Sequence, residues 1–185
     1  KTRKDEVAMK NSTEHLTKKV DQNTYNEIER KFIPVSNDSL DVYRSISQPI
    51  EQYYLSKTDE PFNLRFRQYV KNGQVAYEST IKDRGSLRSE GLSRMEVTTA
   101  VSPEMYEYYK SETAPVLRKL RADVLPGISI DFYEDGMVQV ESENDDQLRQ
   151  FMSRNHHSLI EITGQQLGDN EWRAYREFTT SYNGE

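Results

Sequence analysis

The chain has 185 residues, of which 34% are hydrophobic and 30% charged, and its formal net charge is -6. This length suits one domain with a buried core. The acidic balance argues against a broad nucleic-acid-binding surface but leaves room for an anionic ligand in a local basic pocket. The absence of cysteine excludes disulfides and thiolate metal sites. No apolar run approaches the roughly 20 residues of a membrane span, so a cytoplasmic location without a membrane partner is the default expectation.

Two segments of the chain differ in composition. Residues 1–22 are rich in Lys, Asn, Ser and Thr with few apolar side chains, which predicts a polar tail or a marginal helix. Residues 23–185 alternate between apolar and polar positions and carry turn signals, with no internal repeat or linker. One folded domain is expected over 23–185, and its oligomeric state stays open.

Most of the predicted elements are strands. They are expected at 26–33, 52–55, 62–71, 75–83, 92–100, 116–124, 128–132, 137–143 and 159–163. Asn72-Gly73 and Asp135-Gly136 predict tight hairpin turns, and 85–91 predicts a loop. Alternating strands joined by such turns favour an antiparallel sheet.

Four helices are predicted between the strands. They lie at 40–50, closed by Pro49, and at 102–111, 144–152 and 170–178. Ser102-Pro103-Glu104 supplies an N-cap, a first-turn proline and an acid, and Asn144 with Gln147 resembles a capping box. Trp172 and Phe178 are the expected core anchors of the last helix.

The first predicted strand contains the run E-I-E-R-K-F at 27–32. Because successive side chains of a strand point to opposite faces, Glu27, Glu29 and Lys31 share one face, with neighbours about 6.6 Å apart. Two carboxylates at this spacing suit a hard divalent cation, and the ammonium beside them suits an anionic ligand. Short charged alternations also occur on solvated sheet faces, so the pattern gains meaning when it recurs downstream.

Charged side chains do recur at strand spacing, opposite apolar ones, on about seven predicted strands. The basic set is Lys31, Arg65, Arg67, Lys82, Arg94, Lys119 and Arg121. The acidic set is Glu27, Glu29, Glu96, Asp131, Glu141 and Glu143.

This repetition fits two architectures. One is an open sheet with its charged face in water. The other is an α+β, mainly antiparallel β fold: a closed eight-stranded tunnel barrel with helices packed on the outside and charges in the lumen. The prevalence of arginine, whose planar fork suits phosphate oxygens, and the acid pairs 27/29 and 141/143 favour the lumen.

The order of the charged motifs resembles that of a known family. E-I-E-R-K-F, N-L-R-F-R, T-I-K, S-R-M-E, L-R-K-L-R, S-I-D-F and V-E-S-E follow one another as in the CYTH family, the triphosphate tunnel metalloenzymes, over residues 25–165. The resemblance implies an eight-stranded antiparallel barrel whose tunnel binds a small triphosphate with Mg²⁺ or Mn²⁺. Members hydrolyse inorganic triphosphate, thiamine triphosphate or RNA 5′-triphosphate ends, and some cyclise ATP.

The same resemblance implies roles for the charged residues. The seven basic residues would bind the triphosphate, and the six acidic residues would contact the metal. Glu27 would orient a water for attack, and Lys31 or Lys82 would neutralise the leaving group, which makes these three the expected catalytic residues. Thr98 stands where the family often has a second acid, so the number of metals and the choice of substrate stay open.

Three functions remain open from the sequence. The first is a metal-dependent triphosphatase, the second a CYTH-type adenylyl cyclase, and the third a non-catalytic module that binds polyphosphate or a nucleotide. His156-His157 predicts a surface loop rather than a metal site, because adjacent side chains of a strand point apart. The tyrosines of helix 102–111, Tyr106, Tyr108 and Tyr109, predict packing over the barrel rather than base stacking.

Overall fold

The computed structural model describes residues 22–110, 115–155 and 158–182. The strands in these residues are β1 Gln22–Pro34, β2 Gln48–Tyr54, β3 Phe62–Lys71, β4 Gln74–Asp83, β5 Ser86–Arg88, β6 Gly91–Ala100, β7 Val116–Leu125, β8 Ile128–Tyr133, β9 Val138–Ser142 and β10 Leu159–Glu161. The α-helices are α1 Pro103–Tyr109, α2 Asp145–Asn155 and α3 Asn170–Tyr182, and 3-10 helices lie at Asp41–Ile46 and Gln166–Gly168.

Eight of the strands close into an antiparallel barrel. They follow the order β1-β9-β8-β7-β2-β3-β4-β6, and β6 pairs back onto β1 from Gln22↔Thr99 to Glu29↔Leu92. β5 extends the sheet beside β6, and β10 pairs with the end of β1. The predicted closed barrel is therefore confirmed, and the open-sheet alternative is excluded.

The apolar face of the strands points outward and forms the core with the helices. Phe32, Ile130 and Val140 pack with Leu148 and Phe151 of α2. A second cluster places Tyr106 of α1 against Tyr53 and Phe66. Burial of this outer layer stabilises the fold at about 25 cal/mol per Å² of apolar surface.

Helix α3 covers one end of the lumen. Its Ala174 packs with Tyr54, Leu117 and Tyr133. Leu117 and Tyr133 alternate in phase with Lys119 and Asp131 of their strands, and Tyr54 lines the cavity, so all three lie on the inner face of the barrel. The lumen is consequently covered at this end by apolar contacts, and the charged residues occupy the remainder.

Two predicted elements are corrected. The helix expected at 40–50 is a 3-10 helix over Asp41–Ile46, and Pro49 belongs to strand β2. Pro49 is accommodated because β2 pairs there only with β7, its pairing with β3 beginning at Glu51. The loop expected at 85–91 contains the short strand β5.

The predicted N-caps are confirmed. Ser102 Oγ accepts from the backbone N–H of Met105 at 3.1 Å, and Asn144 Oδ1 accepts from that of Gln147 at 3.0 Å. Helices α2 and α3 extend beyond their predicted ends to Asn155 and Tyr182.

Other predictions concern the last helix and the remaining segments. Trp172 is half-buried, and Ala174 is buried among the side chains that the structure describes in α3, those at 170–176. The Phe178 side chain, the tail at 1–21, Ser111 and His156-His157 lie outside the described residues. Within the part of the chain that the structure describes, no helix is long and apolar enough to cross a membrane.

A glycine substitution tests the close approach of β6 to β1. Gly91 has a φ of +137°, and a Cβ built there would lie 2.6 Å from the carbonyl oxygen of Glu29. Gly73, with a φ of +74°, has no atom within 4 Å of such a Cβ. We expect Gly73→Ala to cost about 1 kcal/mol of unfolding free energy and Gly91→Ala roughly 3 kcal/mol, measured by urea denaturation. Equal losses in the two variants would contradict this packing.

Candidate active site in the barrel lumen

The lumen contains a cavity of about 480 Å³. Side chains from seven of the eight barrel strands line it, together with the segment at 164–171 between β10 and α3. All predicted site residues except Lys119 and Asp131 line the cavity: Glu27, Glu29, Lys31, Arg65, Arg67, Lys82, Arg94, Glu96, Arg121, Glu141 and Glu143.

The strand register places opposite charges side by side on β1, β4 and β6. Glu27 lies opposite Arg94, and Lys82 lies opposite Glu96. Lys82 Nζ donates to both Glu27 oxygens at 2.8 Å and lies 2.6 Å from Glu96 Oε2. Arg94 donates to Glu27 at 3.0 Å and also to Glu29. These carboxylates and cations form one continuous network on the cavity wall.

Lys31 connects the first motif to the C-terminal segment. Its Nζ lies 3.4 Å from Glu29 Oε1 and 3.5 Å from Glu141 Oε1, and it donates to the Gly168 carbonyl oxygen at 2.9 Å. A Cβ at Gly168 would lie 3.3 Å from Lys31 Cδ, so glycine leaves room for the lysine stem. The segment between β10 and α3 therefore takes part in orienting this ammonium.

Two predicted site residues lie outside the cavity lining. Lys119 and Asp131 are fully buried, with their charged atoms 2.5 Å apart. Arg121 donates to Asp131 through Nε and Nη2 at 2.6 Å each and reaches Glu141 in the cavity. Both groups pair with protein partners beside Tyr133 under α3, and the substrate contact of Lys119 and the metal contact of Asp131 stay predictions.

Two carboxylates at the end of β9, Glu141 and Glu143, have pKa values shifted in opposite directions. Burial raises the pKa of Glu141, but Arg121 and Lys31 outweigh it and hold that pKa well below its usual value. Burial and the carboxylate of Glu27 together raise the pKa of Glu143. No cation in the described residues lies within ion-pair distance of Glu143. The neighbouring carboxylates therefore place negative charge around Glu143 that no described cation offsets at ion-pair distance.

Three guanidinium groups present unused donors to the cavity. The Nε atoms of Arg65, Arg67 and Arg94 are buried and have no acceptor among the described residues. Burial, then the charges of Arg65 and Arg121, lower the pKa of Arg67 to about 10. Buried donors of this kind carry a desolvation penalty that a bound acceptor would relieve. An anion fits this part of the cavity.

The cavity lining as a whole contains more acids than bases. Its basic residues are Lys31, Arg65, Arg67, Lys82, Arg84, Arg94 and Arg121. Its acidic residues are Glu27, Glu29, Glu78, Asp83, Glu96, Glu141, Glu143, Asp169 and Glu171. The lining thus has seven positive and nine negative groups. Because the negative groups are in excess, a polyanion binds favourably here when cations accompany it.

The donor set suits a hard divalent cation. Glu29, Glu141 and Glu143 offer carboxylate oxygens, which Mg²⁺ and Mn²⁺ prefer, and the excess negative charge at Glu143 favours a cation there. No group of three or more His, Cys, Asp or Glu residues in the described ranges is already arranged as a metal site. Glu29 and Glu141 are held instead by lysine and arginine, so metal binding would require some of these pairs to open.

Sequence reasoning missed part of the lining. Tyr25 and Glu78 lie in the cavity wall and are in phase with Glu27 on β1 and Lys82 on β4, so alternation extended by one step would have found them. Arg84 and the segment at 164–171 reach the cavity from outside the barrel strands. Such segments carry no periodic signal, and only the fold brings them here.

Comparison with known proteins finds similar chains among solved structures. No family model matches the chain, and no curated protein matches it. The inorganic triphosphatase NE1496 is 18% identical over 80% of this chain and 93% of its own, with a TM-score of 0.45. PH1819 from Pyrococcus horikoshii OT3 is 18% identical over 70% and 85%, with a TM-score of 0.44.

A third similar structure is the conserved hypothetical protein Pfu-838710-001 from Pyrococcus furiosus. It is 17% identical over 71% of this chain and 91% of its own, with a TM-score of 0.46. Likenesses of this extent carry no argument about activity. The chemistry of the site must be inferred from its own residues.

The dependence of the unfolding free energy on acidic pH provides a test of the burial of Glu96. Burial raises the pKa of Glu96, but Lys82 and Arg65 outweigh it and bring the pKa to about 2, below the ordinary 4.5. Because the folded-state pKa is the lower one, ionised Glu96 contributes stability above pH 4.5 that is lost as the pH falls towards 2. We expect the unfolding free energy of the wild type to fall more steeply over this range than that of Glu96→Gln, measured by urea denaturation.

The exposed Glu134 provides the matched control for this measurement. Glu134→Gln should keep the wild-type pH dependence. Parallel curves for the wild type and Glu96→Gln would mean that Glu96 does not contribute to acid sensitivity.

Proposed function

We propose that the protein is a divalent-metal-dependent phosphohydrolase that cleaves the terminal phosphate of a small triphosphate in the barrel lumen. The observation that carries this proposal is the group of buried Nε donors of Arg65, Arg67 and Arg94, which have no acceptor among the described residues and belong to side chains that line the charged cavity. The likeness of the sequence motifs to those of the CYTH family supports it independently. The substrate is either inorganic triphosphate or an organic triphosphate.

The basic residues of the cavity fit a triphosphate. This ligand carries about four negative charges near neutral pH, and charge-assisted hydrogen bonds from arginine to phosphate oxygens are strong and directional. Arg65 and Arg67 come from β3, Arg94 from β6 and Arg121 from β7, so the donors surround the lumen. A ligand that accepts from several of them at once would be fixed in orientation along the tunnel.

Mg²⁺ or Mn²⁺ fits between the ligand and the acids. Glu29, Glu141 and Glu143 would hold it through carboxylate oxygens, while the terminal phosphate would supply further oxygens. When bound, the cation offsets phosphate charge and makes the phosphorus a better target for attack. Its presence would also remove the repulsion between phosphate and the surplus carboxylates.

The chain itself supplies the groups for water activation and for the leaving phosphate. Glu27 would accept a hydrogen bond from the attacking water and so orient it in line with the bond that breaks. Burial and then Arg94 lower the pKa of Lys82. Lys31 differs, because Glu29 and Glu141 outweigh its burial and raise its pKa. Lys82 therefore suits proton donation to the leaving oxygen, and Lys31 suits permanent charge neutralisation.

Substitution of the first-motif acids tests the proposal. Glu27→Gln and Glu29→Gln remove a charge but keep the side-chain size, so the fold should persist by circular dichroism. We expect metal-dependent phosphate release from inorganic triphosphate to fall by roughly 100-fold or more in each variant. Glu134→Gln, an exposed acid outside the cavity, should retain wild-type turnover. Normal turnover in both lumen variants would end this assignment.

A substrate panel separates the proposal from its alternatives. Inorganic triphosphate, thiamine triphosphate and ATP are each incubated with the protein, first with Mg²⁺ and then with Mn²⁺. Phosphate release is the expected outcome. Cyclic AMP from ATP would identify a cyclase, and binding of a triphosphate without turnover would identify a non-catalytic module.

Ligand-dependent stability tests binding apart from turnover. A ligand at 100 times its Kd stabilises the folded state by about 2.7 kcal/mol. Inorganic triphosphate with Ca²⁺ should therefore raise the Tm of the wild type, and Arg67→Gln should reduce this rise. Arg149→Gln, on the exposed face of α2 with 71% of its side chain accessible, is the control and should behave as the wild type. An unchanged Tm in the wild type would contradict lumen binding.

A further inference from the structure

Glu96 is held in the lumen by two hydroxyl groups and one ammonium group. Its Oε1 accepts from the Tyr25 hydroxyl and from Thr98 Oγ1, both at 2.8 Å. Its Oε2 lies 2.6 Å from Lys82 Nζ. The residue is only 4% exposed. Two hydrogen bonds therefore hold Oε1, and an ion pair with Lys82 holds Oε2.

The donors of Glu96 are themselves held by a directed chain of hydrogen bonds. Arg65 Nη2 donates to Thr80 Oγ1 at 3.1 Å, and the hydroxyls of Thr80 and Thr98 are 3.1 Å apart. Because Thr98 gives its proton to Glu96, Thr80 is the donor to Thr98. The series of hydrogen bonds therefore runs from Arg65 through two threonines to Glu96. Each threonine hydroxyl in it accepts one hydrogen bond and donates one.

Glu143 is the opposite case. It is exposed, and no cation among the described residues lies within ion-pair distance of it. A cation would relieve repulsion at Glu143, whereas at Glu96 it would have to displace donors already in place. The two acids therefore suit different tasks.

We propose that Glu96 positions Lys82 instead of ligating a metal, and that Tyr25 and Thr98 are the hydrogen-bond donors that hold Glu96 for this purpose. The proposal rests on the proposed phosphohydrolase function. Lys82 Nζ is shared between Glu27 at 2.8 Å and Glu96 at 2.6 Å. An anchored Glu96 keeps this ammonium between the two carboxylates, near the leaving oxygen, and prevents it from pairing with Glu27 alone.

This arrangement gives Thr98 a role. An acid at this position, as the sequence motifs of the CYTH family often have, would repel Glu96 across two residues of β6. A hydroxyl donates to Glu96 instead. The departure from the family pattern thus converts a possible second metal contact into support for Lys82.

Tyr25 brings the same support from the rim of the cavity. It lines the cavity with 45% of its surface exposed, and its hydroxyl reaches Glu96 from β1. Burial and then the hydrogen bond to Glu96 raise the pKa of this phenol, so it remains protonated and donates near neutral pH. Tyr25 and Thr98 act through Glu96 and are positioning residues.

The first experiment measures metal affinity without turnover. Mn²⁺ binding to the full chain is followed by electron paramagnetic resonance for the wild type, Glu96→Gln and Glu29→Gln. We expect Glu96→Gln to bind Mn²⁺ within twofold of the wild type and Glu29→Gln to bind at least tenfold more weakly. A tenfold loss in Glu96→Gln would make Glu96 a metal ligand and overturn the proposal.

The second experiment separates kcat from KM for inorganic triphosphate at saturating Mn²⁺. Tyr25→Phe and Thr98→Val should each lower kcat about fivefold to tenfold, with KM within twofold of the wild type, since they disturb Lys82 and leave the arginines intact. Thr98→Ser keeps the hydroxyl and should restore kcat. Unchanged kcat in both variants, or no rescue by serine, would overturn the proposal.

Two controls match these variants. Thr99→Val changes the adjacent threonine, which points to the other face of β6, and Tyr108→Phe changes a tyrosine of α1 that is 81% exposed. Both should keep wild-type kcat. If the wild type releases no phosphate, the proposed function fails and the positioning role falls with it. An active wild type with a weakly Mn²⁺-binding Glu96→Gln would instead reject the positioning role alone.

Discussion

Opposite charges face one another across neighbouring strands of the lumen, and the closed barrel depends on this pairing. Glu27 lies between Lys82 and Arg94, and Asp131 pairs with Lys119. An unpaired charge taken from water into such an interior costs several kcal/mol. The strand register compensates by placing an acid beside each of these bases. A charged interior is therefore compatible with folding because the partners are supplied by the sheet itself.

The barrel reverses the usual distribution of polar and apolar residues. The apolar faces of the strands point outward to α1 and α2, as Phe32 and Phe66 do. The same strands carry Lys31 and Arg65 inward. Each inward side chain is consequently held by a rigid, paired strand instead of a loop. Rigid support of this kind suits a site that must hold several charged groups at fixed separations.

The lumen acids divide into occupied and available carboxylates. Asp131 accepts hydrogen bonds on both oxygens, and Glu96 accepts two on Oε1 and pairs with Lys82 through Oε2, whereas Glu143 has no described cation within ion-pair distance. The first kind holds the basic side chains in place, and the second kind has capacity for a cation. The unused Nε donors of Arg65 and Arg67 provide the corresponding capacity for an anion. A metal and a polyphosphate together would satisfy both.

Alternation along single strands was readable from the amino-acid sequence, and it determined which side chains share a face, as in Glu27, Glu29 and Lys31. It did not distinguish an open sheet from a barrel, because both show the same alternation. Closure was decided by the pairing of β6 with β1, and the position of Lys119 outside the cavity lining by its burial against Asp131 and Tyr133. The alternation of side chains along a strand is a local property. Closure of the barrel and coverage of its lumen depend instead on contacts between segments far apart in the chain.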